Sequence, residues 1–183
     1  MDISVLVNNV GVAGAFGPLS QIEDKVIHDV ISCNMYGNVL LTREIVESFK
    51  KRYEKTGQRS CITFTSAMAA IVPIPNVGIY SASKIFTDFL AWGLQYELAR
   101  YGVDVSAWRA AGVSTNILDN PEPDMMVSSA ENYVSVAMSK VTSGVHAGYF
   151  PHELIHLFWT NVNDIMPQSL CVKFFRDLIA GHA

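Results

Sequence analysis

The sequence predicts an α/β fold: a mainly parallel sheet with helices on both faces. Three observations predict it. Short apolar runs rich in β-branched residues recur at residues 2–7, 60–65 and 103–108. Longer stretches with helical periodicity separate them. Half of the residues are hydrophobic and only 16% are charged, which favours a packed chain over a disordered one. At 183 residues the chain is long enough for one domain with a sizeable core.

Residues 2–7 read as a buried strand. Asn8-Asn9-Val10-Gly11 follows, placing two side-chain amides and a glycine at the strand end. A helical pattern then runs from about residue 22 to residue 53, with Asn34 and Gly37 inside it. The second strand, residues 60–65, ends at Ser66, and a loop with Pro73 and Pro75 leads into the next helix. The third strand, residues 103–108, runs into Ala110-Ala111-Gly112-Val113-Ser114-Thr115. Asn120-Pro121-Glu122-Pro123-Asp124 marks a loop, a helix is expected over residues 130–141, and a short fourth strand near Tyr149. Residues 154–179 carry Phe158, Trp159, Phe174 and Phe175, as a core helix or one resting on a membrane surface would.

The chemistry concentrates in Tyr80-Ser81-Ala82-Ser83-Lys84. Residues at i and i+4 share one face of a helix, so a phenol and an ammonium stand one turn apart. A phenol titrates near pH 10, and a cation beside it favours the phenolate. A Tyr tuned in this way can exchange a proton with a carbonyl or alcohol oxygen.

Strand, Asn-Asn-x-Gly, helix with Asn, strand ending in Ser, Tyr-x-x-x-Lys, strand, loop with Thr: this order resembles the short-chain dehydrogenase/reductase family. The resemblance is strong over residues 1–115 and fainter through Ala130-Glu131-Asn132-Tyr133-Val134 and Gly148-Tyr149-Phe150. Pro73, Pro75, Tyr80 to Lys84 and the late Gly148-Tyr149 are most similar to the branch of 17β-hydroxysteroid dehydrogenases and very-long-chain 3-oxoacyl-CoA reductases.

That resemblance implies a Rossmann-like, doubly wound parallel sheet and an NADP(H)-linked interconversion of ketone and alcohol, with NAD(H) not excluded. The substrate would be lipid-like, a steroid or a long acyl-CoA. Tyr80 would be the acid/base, Lys84 would lower its pKa and hold the nicotinamide ribose, and Asn34 would anchor a water of the proton relay. Asn9 and Gly11 would border the cofactor, with Val113 and Thr115 beside its carboxamide. A homodimer through paired long helices follows by analogy. So does an intracellular setting, cytoplasmic or at the endoplasmic reticulum, with peripheral membrane contact.

Three departures qualify those expectations. The family's first three strands and glycine-rich turn, roughly 90 residues at about 30 per strand–helix unit, have no counterpart before residue 2, so residues 1–183 read as the catalytic half of the domain with impaired cofactor binding. Gly11, Gly14 and Gly17 lack the spacing of a dinucleotide fingerprint. The carbonyl-polarising Ser of relatives stands thirteen residues before the Tyr; here that position, 80 − 13 = 67, is Ala67, and Ser66 is one residue off. Either Ser66 serves or the donor is absent. The usual Pro-Gly after the third strand is replaced by Ala110-Ala111. A catalytically inactive remnant acting as a binding or interaction module is therefore the alternative.

His152-Glu153-Leu154-Ile155-His156 matches the H-E-x-x-H string of zinc hydrolases. The only candidates for a third ligand are Asp164, Asp177 and His182, so the expectation is no metal. Net charge is −4 with no basic run, which argues against nucleic acid as a partner. Cys33, Cys61 and Cys171 are odd in number and dispersed, as in a reducing compartment.

Overall fold

The structure is a computed structural model that describes residues 2–139, 141 and 143–180. Its sheet has four parallel strands: β1 (Val5–Asn8), β2 (Ser60–Ala67), β3 (Val103–Ala110) and β6 (Gly144–His146), in the order β1-β2-β3-β6. All three pairings are parallel, so every connection must cross over. The helices supply the crossovers: α1 (Asp24–Ile31) and α2 (Asn38–Thr56) between β1 and β2, and α3 (Gly78–Leu98) between β2 and β3.

Side chains alternate along a strand, and the register shows which of them share a face. Ile62 and Phe64 of β2 lie beside Val105 and Ala107 of β3. With Phe49 of α2 and Ala91 and Leu98 of α3 they form the main core, all but fully buried. Ser66 and Arg109 continue the same face and the same register. β1 is an edge strand, and its Val5 and Val7 are 44% and 45% exposed.

Several boundaries differ from the sequence expectation, β1 among them, which starts at Val5 and runs to Asn8. β2 and β3 run on to Ala67 and Ala110, because the parallel ladder continues past the last large apolar residue. The long helix is interrupted by a π-helical turn at Ser32–Gly37, centred on Asn34. The fourth strand lies at Gly144–His146, just before Tyr149. The C-terminal pattern divides into α5 (Phe150–Ile165) and α6 (Gln168–Ala180), since Met166 before Pro167 is extended.

A second sheet, not anticipated from the sequence, pairs β4 (Gly112–Ser114) with β5 (Val127–Ser129), which leads into α4 (Ala130–Ser139). Gly112 permits it: a Cβ there would lie 2.8 Å from Val127 Cγ2. Among the described residues, no helix is long and apolar enough to cross a membrane.

Candidate active site

The centre of the site is a close approach of three segments. Lys84, 5% exposed, is carried by α3, and its Nζ donates to the Thr65 carbonyl at the end of β2, at 2.8 Å. The same Nζ lies 5.5 Å from the centre of the Tyr80 ring. The pair predicted from its i,i+4 spacing therefore stands together on α3, the ammonium beside the ring.

Asn34 locks the third segment onto this pair. Its amide nitrogen donates to the Val12 carbonyl at 2.9 Å and to Ser83 Oγ at 3.0 Å, while its Oδ1 accepts the Val12 N–H at 2.8 Å. Ser83 in turn donates to the Tyr80 carbonyl at 2.7 Å. The π-helical turn turns Asn34 inward, a use of such turns that is frequent at functional sites. The backbone carbonyl of Asn34 accepts Asn38 Nδ2 at 2.8 Å.

Gly11 stands between the two polar groups. A Cβ there would sit 3.3 Å from Lys84 Nζ and 3.4 Å from Asn34 Oδ1. The missing side chain permits this close approach of the Gly11 backbone to Lys84 and Asn34. The geometry fits the nicotinamide-ribose end of a dinucleotide. Asn9 is tied in through Thr65, whose Oγ1 donates to Asn9 Oδ1 at 2.8 Å.

Burial sets the electrostatics. Lys84 falls from 10.5 to about 8 because its ammonium is desolvated, with Asp88 one turn on opposing the fall. Tyr80 is pushed above its ordinary value, also by desolvation. The sequence suggested the opposite direction for Tyr80. In the structure Lys84 is committed to the Thr65 carbonyl, and burial of the phenol outweighs the cation near its ring.

The remaining predicted residues are placed elsewhere. Ser66 is 2% exposed and its hydroxyl donates to the Lys84 backbone carbonyl at 3.3 Å, with Asp88 within reach. It lies under α3, on the core face of β2, so the one-residue offset turns it away from a bound carbonyl. Ala67 shares the opposite face with Thr65 and carries no donor. Val113 and Thr115 follow on β4 and the turn after it, and the Thr115 hydroxyl donates to the Val113 carbonyl at 3.2 Å.

Behind the site lies an ion pair that sequence inspection missed. Arg109 Nε donates to Asp88 Oδ2 at 2.8 Å, with Asp88 fully buried and Arg109 7% exposed. Arg109 also meets His156 Nε2 at 2.8 Å and lies over the Trp92 ring. The available signals were an arginine near the end of a mainly apolar strand and an aspartate four residues after Lys84.

The H-E-x-x-H string is absorbed by structural bonds. His152 is fully buried; its Nδ1 accepts the Ala111 N–H, so Nε2 carries the proton towards the Met126 carbonyl, both at 3.3 Å. Desolvation lowers its pKa and keeps it neutral. Glu153 accepts the Ala147 and Gly148 N–H groups at 2.7 and 3.0 Å. His156 accepts from Arg109, which disfavours both protonation and a metal at that nitrogen. Among the described residues, no group of three or more His, Cys, Asp or Glu could hold a metal ion, and His182 lies outside them.

The short chain dehydrogenase family pattern matches residues 1–125. The chain is 30% identical over 160 residues to 17-beta-hydroxysteroid dehydrogenase type 3 of Danio rerio, covering 85% of this chain and 50% of that one. It is 29% identical over 178 residues to very-long-chain 3-oxoacyl-CoA reductase of Mus musculus, covering 94% and 54%. The chain thus spans about half the length of these relatives. A short chain dehydrogenase from Burkholderia cenocepacia, solved in complex with NADP, superposes with a TM-score of 0.69 at 21% identity, over 87% of this chain and 67% of that one, which supports the fold. With the family pattern covering well over half of its residues, this chain belongs to the short-chain dehydrogenase family.

Proposed function

We propose that this chain is the catalytic portion of a nicotinamide-dependent oxidoreductase that interconverts a ketone and an alcohol on a lipid-like substrate. The single observation behind this is the convergence of three groups: the Lys84 ammonium beside the Tyr80 ring, with Asn34 brought close to it across Gly11. Tyr80 hands a proton to the developing alkoxide, or takes it back from the alcohol. Lys84, held by Thr65, places a positive charge where the phenolate forms and offers its N–H groups to the ribose hydroxyls. Asn34 fixes the loop of residues 9–12 against α3. The bound nicotinamide supplies or accepts the hydride.

Ser66 is left out of this scheme, because its hydroxyl is spent beneath α3. Tyr80 is the donor that remains for the carbonyl. A slow enzyme is the expected consequence, since loss of one such donor typically lowers turnover by about 10²–10³.

The named relatives favour a steroid or a long 3-oxoacyl-CoA as substrate and, by the same analogy, NADP(H) as cofactor. Gly11, Lys84 and Asn9 serve only the nicotinamide end, so the isolated chain should bind the dinucleotide weakly. Exposed Phe89, Trp92 and Tyr96 on α3 and Leu41 on α2 suit the homodimer suggested by analogy. Leu154, Leu157 and Phe158 on α5 suit the membrane contact.

The test is NADPH titration of the 183-residue chain, with and without a steroid ketone. Turnover that Tyr80→Phe removes, without loss of NADPH binding, supports the proposal. NADPH binding without turnover favours the alternative, a catalytically inactive binding module.

A further inference from the structure

Two apolar clefts flank residues 68–78, and Ile74 lines both. The larger, about 490 Å³, lies between the loop of residues 13–19, α1 and the start of α3; Val26, Met35, Ile79 and Tyr80 are among its walls. The smaller, about 290 Å³, lies between residues 68–74, Gly112, Met126 and the α5 side chains Ile155 and Trp159. Their sizes match small-molecule sites, which span about 300–1,000 Å³. No Lys, Arg, His, Asp or Glu lines either cleft among the described residues.

The larger cleft is tied at its mouth. Gly17 N–H donates to the Asn76 carbonyl at 2.9 Å, and Asn76 adopts a left-handed φ of 67°. This bond clips the loop of residues 13–19 onto the turn before α3, so the cleft is a built feature of the wall that carries Tyr80.

We infer that the substrate is an uncharged ketone bearing an apolar group on each side of its carbonyl, one arm in each cleft, with Ile74 as the divider. This rests on the oxidoreductase role proposed for Tyr80. Tyr80 and Ile74 both line the larger cleft, and Ile74 also lines the smaller one, so a carbonyl at Tyr80 shares a wall with the residue common to both. A methyl ketone would leave one cleft empty and forgo the burial of apolar surface there. A coenzyme A thioester would bring phosphates, which call for Arg or Lys partners that neither cleft provides.

The test compares two isomers of equal apolar area, 7-tridecanone and 2-tridecanone, with 3-oxohexadecanoyl-CoA as the charged competitor. Binding to the full chain is read by displacement of an anilinonaphthalene dye, and NADPH consumption is followed separately. The symmetric ketone should displace the dye at a concentration at least about tenfold lower than the methyl ketone. Ala82→Trp, at an exposed position of α3 on the larger cleft, should erase that preference; Ala15→Trp on the facing loop provides a second plug if the first variant does not fold. Equal displacement by the isomers, a preference that survives both plugs, or tighter binding of the thioester would overturn the inference. A preference without NADPH consumption would support the two-armed site and count against the oxidoreductase role instead.

Discussion

Replacing Lys84 by Met should change how stability depends on pH. In the folded chain the ammonium is desolvated and titrates at about 8 instead of 10.5. Between those two values the unfolded chain holds a proton that the folded chain has released. Stability therefore rises with pH through this window, and the contribution disappears as pH falls through about 8. Lys84 is only 5% exposed, so solvent screening takes little from the effect. Integrating the proton difference from about pH 7.5 to about pH 9, at 1.36 kcal/mol per unit, gives about 1 kcal/mol. Lys84→Met keeps the apolar stem and has no such group. Urea denaturation of both proteins at the two pH values should show the native chain gaining about 1 kcal/mol on the variant. At a slope of about 2 kcal/mol/M, that is about 0.5 M in the midpoint. The window stops at about pH 9 because the half-buried Cys61 thiol, pushed up to about 11, begins to act in the opposite direction above that. Its effect is common to both proteins and cancels in the difference. Parallel pH curves would show that Lys84 is well solvated, and the account of the site as a desolvated cation beside Tyr80 would fail with it.

Further outcomes follow from the same geometry. Ala67→Ser places a hydroxyl on the face of β2 shared with Thr65 and should raise ketone turnover by about 10²-fold, whereas Ser66→Ala should leave turnover unchanged and lower stability by about 1 kcal/mol. Steady-state assays and melting curves on the two variants separate these cases. Arg109→Met strands the Asp88 carboxylate in the core and should cost about 3–5 kcal/mol, most of it recovered in the double variant with Asp88→Leu. Failure of the double variant to recover would mean that the pair is not the source of the loss. Chelation with EDTA should leave the melting temperature unmoved, because His152, Glu153 and His156 are engaged in protein bonds. A drop would reinstate a metal at that helix.

Local signals are short-ranged, and the sequence reveals what depends on them. β-branched runs locate β1, β2 and β3, and the i,i+4 rule puts Tyr80 and Lys84 on one helical face. The order of motifs identifies the family, and its Asn falls at the π-helical turn. Where the outcome turns on a neighbour distant in the chain, the sequence leaves it open. Strand parity in the parallel ladder, set by β3 and α3, decides that Ser66 faces the core and Ala67 does not. The bond from Lys84 to a carbonyl 19 residues away, together with burial by the surrounding elements, decides the direction in which Tyr80 titrates. Partners supplied by β3, the residue after it, the loop before β5 and the turn after β6 turn a zinc-like string into a set of structural bonds. Residue type and spacing fix which groups the chain carries and on which element. Only packing fixes which of them are desolvated, paired or left facing a cleft, because those states belong to contacts between segments.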